Sequence, residues 1–277
     1  MRRFTTVQNI FKVFLLLVAS LFCVQTALAE ADPWSYPKTE PDGNFGGGDG
    51  TEASPYLITN AQQLADLAYM VNDGTYYKGK YFKLTRDIQL SDISFEDGSL
   101  YPTGNIDKRW EPIGREGSFW NDSFKGIFDG DNHTISGMVV SSYSEFPGSA
   151  PGKFPSYYYE GLFGALDGAI VRNLNMKDCF IYQGKNAIAT GFLAGYMSQS
   201  QIINCHVNGC RIVVKSPDLA PRDATNSKTV CIGGIVGQGS GSGKTFNSCS
   251  FDGKISVTID YMKSTSFLNW GRCSLYV

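Results

Sequence analysis

The sequence predicts an all-β protein, a parallel β-helix with an N-terminal capping helix, right-handed by the crossover rule for parallel strands. Three observations lead there. The chain carries 31 glycines and 13% aromatic residues with little helical periodicity. Between Lys125 and Val257 one pattern recurs four times: a glycine hinge, a short apolar run, a small polar residue, another apolar run. The hinges are Gly126-Ile127-Phe128, Gly161-Leu162-Phe163-Gly164, Gly191-Phe192-Leu193-Ala194-Gly195 and Gly233-Gly234-Ile235-Val236-Gly237. Downstream, apolar residues fall into columns: Ile135, Val171, Ile202 and Phe246; Met138, Leu174, Cys205 and Cys249; Val140, Met176, Val207 and Phe251. A turn-prone Gly137, Asn173, Asn204 or Ser248 separates the first two columns.

The third observation is that the middle column advances unevenly, by 36, 31 and 44 residues. The alternating core repeats while the connections vary, as happens when units stack and extrude their insertions. No unit can bury its apolar residues alone, so like residues should lie about 4.8 Å apart on neighbouring coils.

Residues 1–29 read as an export signal: Arg2 and Arg3, an apolar run from Val13 to Val24 broken only by Ser20, then Ala27-Leu28-Ala29 with cleavage after Ala29. That run is about 12 residues, short of the roughly 20 that span a bilayer, so no transmembrane anchor is expected in the mature chain. Losing Arg2, Arg3 and Lys12 leaves 21 basic residues against 26 acidic ones. Such a balance excludes nucleic acid and anionic lipid as natural partners.

Residues 30–54, with Pro33, Pro37, Pro41 and Gly46-Gly47-Gly48-Asp49-Gly50, predict a flexible lead-in without regular structure. Residues 55–123 should form the N-terminal cap and first coils. Pro55-Tyr56-Leu57-Ile58 is a short strand; Asn60 then caps a helix, with Gln63 three residues on and Leu64, Leu67, Ala68 and Val71 at helical spacing before Gly74. This amphipathic helix is assigned to cover the open end of the coil, whose unpaired backbone needs a lid. Phe82, Leu84, Ile88 and Leu90 alternate as inward strand residues. Residues 124–257 hold the repeats. Residues 258–277 contain no further hinge, and Trp270-Gly271-Arg272-Cys273 fits no column, so an uncapped or poorly ordered tail is expected.

Several of these segments, in this order, resemble one family. Gly50-Thr51 through Pro55-Tyr56-Leu57-Ile58, the Gln63-Leu64 helix, Phe82-Lys83-Leu84-Thr85-Arg86-Asp87-Ile88, Trp110-Glu111-Pro112-Ile113-Gly114 and Phe128-Asp129-Gly130-Asp131-Asn132-His133-Thr134-Ile135 look like the start of secreted bacterial surface proteins with GLUG-type repeats. Gly161-Leu162-Phe163-Gly164 and Gly233-Gly234-Ile235-Val236-Gly237 resemble the GLUG motif itself. The likeness covers roughly residues 48–257. Similar modules occur in adhesin-like proteins and in the non-catalytic N-terminal region of IgA-cleaving metalloproteases. The resemblance implies a β-helical surface module with no catalytic residues to carry over. The third hinge departs from the motif, with Phe192 set against Gly161 and Gly234.

Candidate chemistry is sparse. The two histidines, His133 and His206, form no His-Glu-x-x-His pair, which excludes a zinc-protease site of that kind. Both read as exposed strand residues. Six cysteines remain in the mature chain: Cys179, Cys205, Cys210, Cys231, Cys249 and Cys273. Side chains stacked in register point the same way at about 4.8 Å, wider than the roughly 3.8 Å between β-carbons of a disulfide, so buried free thiols are expected. The turn Asp129-Gly130-Asp131-Asn132 offers oxygen ligands but lacks the distal Glu of an EF-hand, so no metal and no cofactor are assigned.

Two functions compete. One is a secreted or cell-surface, adhesin-like binding or structural protein that presents a β-helical face and loops to a protein or glycan of host or bacterial origin. The loops at Ser142–Tyr159 and Lys215–Lys228 are its contact candidates, with Tyr143, Phe146, Tyr157, Tyr158 and Tyr159 suited to stacking. Gly126, Gly161, Gly164, Gly191, Gly195, Gly233, Gly234 and Gly237 are its structural hinges. The other is a polysaccharide lyase or glycoside hydrolase on the same scaffold, which would need two or three outward carboxylates and a Lys or Arg to converge.

Overall fold

The computed structural model describes residues 31–115, 122–141, 158–183, 187–216, 230–259 and 273–276. Its strands arise where β-branched, aromatic and aliphatic residues alternate, and they come in successive tiers. The first elements are β1 (Tyr56–Ile58), α1 (Ala61–Asn72), β2 (Tyr81–Leu84) and β3 (Ile88–Gln89). Next come β4 (Ile127–Asp129), β5 (Thr134–Ser136) and β6 (Val139–Ser141), then β7 (Tyr159–Glu160), β8 (Phe163–Asp167), β9 (Ile170–Lys177) and β10 (Phe180–Tyr182). After them run β11 (Ala189–Thr190), β12 (Ala194–Ser198) and β13 (Gln201–Ser216), then β14 (Val230–Gly233), β15 (Val236–Ser240), β16 (Thr245–Asn247), β17 (Ser250–Ile259) and β18 (Cys273–Tyr276).

Among the described residues the chain is thus all-β with one short helix, and its strands pair in parallel. One sheet runs β1-β2-β4-β9-β13-β10-β6 and is joined by β3, β5, β16 and β17; a second runs β7-β11-β14-β18, a third β8-β12-β15. The register puts Val171, Ile202 and Phe246 in one row, and Met176, Val207 and Phe251 in another. These rows match the columns expected from the sequence.

The first unit does not match. Phe128, not Ile135, lies beside Val171, while Ile135 lies beside Met176. Val140 belongs to a further row with Ile181 and Ile212. The turn after Phe128 is longer than the bend after Val171, which puts the first unit out of step with the expected columns. Gly137 (φ 68°) was set against Asn173 (φ 52°), but its neighbours Ser136 and Lys177 pair, which places it level with Asp178 (φ 50°).

Left-handed backbone residues make the corners. Asn132 (φ 65°), Asn173, Asn204 (φ 52°) and Ser248 (φ 54°) stack in one corner column; Gly137, Asp178 and Gly209 (φ 65°) form a second; Gly168 (φ 63°), Gln199 (φ 46°) and Gly241 (φ 77°) a third. Positions 168, 173 and 178, and again 199, 204 and 209, are spaced by five. This conformation costs an ordinary L-residue roughly 1–2 kcal/mol, least for Gly and Asn. Asn173 and Asn204 offset it: Asn173 Nδ2 donates to Asp129 Oδ1 at 3.0 Å, and Asn204 Nδ2 donates to Asn173 Oδ1 at 3.0 Å. Asn173→Ala is therefore expected to lower stability by about 2–3 kcal/mol, from the strained φ and two lost hydrogen bonds. Asn173→Gly should recover only the backbone part. Urea midpoints for both variants test this, and a wild-type midpoint for Asn173→Ala would remove the asparagine column from the account.

Helix α1 begins as the sequence predicts, with Asn60 Oδ1 accepting from Gln63 N–H at 3.0 Å and Gln63 Oε1 accepting from Thr59 N–H at 2.7 Å. Leu64, Leu67 and Val71 are fully buried in the same core as Phe82, Phe128, Val171 and Ile202.

Residues 31–54, expected as a flexible lead-in, lie packed on the core. They hold no strand or helix, but Trp34 Nε1 donates to Leu90 O at 2.8 Å and its ring meets Trp110 edge-on at 5.6 Å. Tyr36 packs on Tyr69, and Phe45 on Tyr56 and Phe82. Proline and glycine content drew the expectation; three aromatic residues with apolar surface to bury decide the outcome.

At the other end, β17 runs past Val257 to Ile259, and β18 adds a strand to β14. Both fall within residues 258–277, where an uncapped or poorly ordered tail is expected from the sequence. A four-residue strand needs no hinge of its own when an existing edge supplies its partner. Residues 260–272, including Trp270, lie outside the described residues.

Cys179, Cys205, Cys210 and Cys249 are free thiols. Cys205 sits beside Leu174 in the main sheet, whereas Met138 flanks Cys179 and Cys210 through the pairing of Val139 with Phe180 and Phe180 with Arg211. Burial pushes the Cys205 thiol up to about 12. Iodoacetamide at pH 8 is accordingly expected to leave Cys205 unmodified in the native protein, since the thiolate is the reactive form. Rapid labelling there, read by peptide mass mapping, would contradict the buried placement.

Candidate functional site

The second and third sheets meet at a seam of glycines. Pairing of Glu160, Thr190 and Ile232 aligns Gly161, Gly191 and Gly233; pairing of Ala194 with Phe163 and Val236 aligns Gly164, Gly195 and Gly237. A β-carbon on Gly161 would lie 2.3 Å from Gly191 O, one on Gly195 2.6 Å from Glu160 N, and one on Gly237 2.4 Å from Thr190 N. Backbone approaches backbone here, which only glycine permits. Gly191, not Phe192, holds the place of Gly161, so the third hinge is one residue longer and Phe192 turns into the core. Gly234 makes room for the Phe251 ring.

Gly126 is not part of this seam. It precedes β4 in the main sheet, and a β-carbon there would meet Lys80 O at 2.8 Å. Gly114 takes the first place instead: Ile113 bridges Phe163, and a β-carbon on Gly164 would lie 2.5 Å from Gly114 O. A glycine followed by two apolar residues looks alike in both settings; only strand pairing separates them.

Of the five aromatic candidates, Tyr143, Phe146 and Tyr157 lie outside the described residues. Tyr158 is 52% exposed. Tyr159 is half-buried and stacks on Tyr196, ring centroids 5.0 Å apart and 25° from parallel. Burial, and then the Tyr196 hydroxyl, push the Tyr159 phenol upward. Sequence reasoning missed Tyr196, although Gly195-Tyr196 directly follows a hinge. Beneath this pair Glu160 is fully buried and its Oε2 accepts from Thr190 Oγ1 at 3.2 Å.

The outer face of the main sheet carries a polar corner. Lys83, Asp129 and Arg172 lie in one row. Asp129 Oδ2 accepts from Arg172 Nε at 2.7 Å, Asp131 Oδ2 meets Lys83 Nζ at 3.0 Å, and Asp87 Oδ1 meets His133 Nδ1 at 3.2 Å. Further along, His206 Nε2 lies 3.1 Å from Asn204 Oδ1, and its Nδ1 lies 2.8 Å from Ser250 Oγ. The turn Asp129-Gly130-Asp131-Asn132 therefore spends Asp129 and Asp131 on the chain's own cations. Among the described residues no group of three His, Cys, Asp or Glu side chains is placed to hold a metal.

Burial alone would raise the Asp129 carboxyl, but hydrogen bonds from Asp131 N–H, Asn173 and Arg172 outweigh it and hold the group below its ordinary value. A depressed folded pKa contributes stability that is complete above the unfolded value near 4 and is lost as pH falls through the lower folded one. Urea midpoints measured from pH 6 to pH 3 should fall, and Asp129→Asn should flatten that fall. Identical pH profiles for the two proteins would show the network to be idle.

The molecule so described belongs to the class of parallel-stranded repeat proteins with tight glycine seams and polar outer corners. No family model matches the chain. Over 183 residues, 66% of this chain, it is 25% identical to the "Putative Gly-rich membrane protein" of Evansella cellulosilytica, of which it spans 17%. Over 152 residues, 53% of this chain, it is 31% identical to halomucin of Haloquadratum walsbyi, of which it spans 1%. A solved "putative immunoglobulin A1 protease" from Bacteroides ovatus aligns over 87% of this chain and 89% of its own at 18% identity. Its TM-score of 0.30 is too low for the likeness to bear on fold or activity. Among the described residues no helix is long and apolar enough to cross a membrane.

Proposed function

We propose that this chain is a secreted or cell-surface, adhesin-like binding protein of the GLUG-repeat kind, without catalytic activity of its own. In this reading the three sheets are faces of one right-handed parallel β-helix, and α1 covers its N-terminal end. The regular columns of left-handed residues support that winding: each bends the chain, and the Gly168, Gln199 and Gly241 column divides the third sheet from the main one.

One observation carries the functional reading. The segments 142–157, 184–186 and 217–229 all leave after β6, β10 and β13, which are neighbours in one sheet, and all return in β7, β11 and β14, which are neighbours in another. Connections of unequal length between the same two sheets are the usual seat of recognition in repeat proteins. Tyr158 and Tyr159 stand where the first of them returns.

The enzymatic alternative has one point in its favour: Asp87, Asp129 and Asp131 share the outer corner with Lys83, Arg172 and His133. Each carboxylate is already paired, and Asp129 is held ionised. A glycosidase needs one carboxyl kept protonated as a general acid, the opposite electrostatic setting. A glycan and protein array probed with residues 30–277, alongside a polysaccharide turnover assay, tests both. Saturable binding without turnover is the expected result; turnover abolished by Asp129→Asn would replace this reading with the enzymatic one.

A further inference from the structure

We propose that the outer edge of β17 is a self-association surface, where a second copy of this chain pairs its β17 antiparallel to the first about a two-fold axis through Gly253. The edge follows from the order of strands. β13 pairs with β9 and β10 of the preceding tier and with β16 and β17 of the following one, whereas among the described residues no strand lies on the far side of β16 or β17. Burial records the difference. Ile202, Val207 and Ile212 are fully buried, but their row-mates in the last tier, Phe246, Phe251 and Ile255, are not, and Phe246 is 52% exposed. Unpaired backbone beside half-covered apolar side chains is a template for another strand.

The residues of β17 and its flank say which strand fits. Cys249, Phe251, Ile255 and Val257 pack against the core, while Ser250, Asp252, Lys254 and Ser256 alternate with them, and both sets are symmetric about Gly253. An antiparallel pair with its axis there sets Phe251 opposite Ile255 of the second copy, Cys249 opposite its Val257, Ser250 opposite its Ser256 and Asp252 opposite its Lys254. Each contact occurs twice. Apolar side chains thereby cover apolar side chains, and two ion pairs form about 5 Å apart across the strands. Asp252 and Lys254 are exposed and, among the described residues, make no ion pair within the chain. Other registers fit worse: an axis at Asp252 or at Lys254 sets like charges face to face, and an axis between residues turns the apolar set of one copy outward. The arrangement is isologous, so association along this edge stops at two.

Sedimentation equilibrium of purified residues 30–277 over a range of concentrations, combined with hydrogen exchange of the β17 amides, tests this. A monomer–dimer equilibrium is expected, with β17 gaining protection as the dimer forms. Asp252→Lys and Lys254→Asp change exposed side chains, so both variants should fold, and each should raise the dimer dissociation constant about ten-fold because two attractions become two repulsions. Mixing the two single variants should restore the dimer, since every facing pair is again opposite in charge. Dimers of unchanged affinity in both variants, or a mixture that fails to recover, would overturn the pairing. Assemblies that grow past the dimer would overturn the two-fold axis. A chain that stays monomeric at the highest concentration reached would overturn self-pairing altogether: protected β17 amides would then mean that another part of this chain closes the edge, and fast exchange that the edge is left to a foreign strand.

Discussion

Gly195→Val is expected to give a chain that does not reach the native state, or one whose urea midpoint falls by more than half. A β-carbon at Gly195 would sit 2.6 Å from Glu160 N, 2.8 Å from Tyr159 Cβ and 2.9 Å from Ala189 O. Backbone atoms of β7 and β11 cannot swing aside as a side-chain end can, so the two sheets would have to part. Overpacking of this kind reaches several kcal/mol, against total stabilities of roughly 5–15 kcal/mol. Gly168→Ala is the control: its φ of 63° is unfavourable, but nothing lies within 4 Å of the new carbon. It should cost only about 1–2 kcal/mol. Circular dichroism melts of the two variants separate the cases, and equal midpoints would show that the seam is looser than its distances imply.

A chain that starts at Asp49 instead of Ala31 is expected to lose about 5 kcal/mol of stability. Trp34, Tyr36 and Phe45 pack against the core, and burial of each large aromatic contributes roughly 1.5–3 kcal/mol. The same truncation removes the Asp32 Oδ1–Arg86 Nη2 contact at 2.8 Å and the hydrogen bonds that join Gly46 N to Leu57 O and Leu57 N to Gly47 O. Trp34→Ala alone should account for about 3 kcal/mol, since it uncovers the Trp110 ring. Unfolding in urea, followed by tryptophan fluorescence, measures both. A truncated protein that unfolds at the full-length midpoint would mean that this segment decorates the fold without supporting it.

The sequence by itself determined the all-β class, the single helix with its Asn60 cap, and the rows through Val171, Ile202 and Phe246. These are local matters. Alternation of apolar residues sets which side chains turn inward, and Asn before a helical apolar stripe marks a start. Glycine spacing likewise exposed Gly164, Gly195 and Gly237, three of the four positions in the column that Gly114 opens. It could not say that Gly114 rather than Gly126 opens the seam, because Gly126-Ile127-Phe128 carries the apolar run of a seam hinge while Gly114 is followed by Arg115, and only the bridge from Ile113 to Phe163 shows its place.

Tertiary structure alone decided the rest, and each time through contacts distant in sequence. The slip in the first unit came from a turn whose length is read only when Phe128 is seen beside Val171. The packing of residues 31–54 was hidden by proline and glycine, whose local signal says nothing about where Trp34 finds Trp110, 76 residues on. Tyr196 joined the candidate site because pairing of β8 with β12 set it across the seam from Tyr159, a placement that no spacing along the chain encodes.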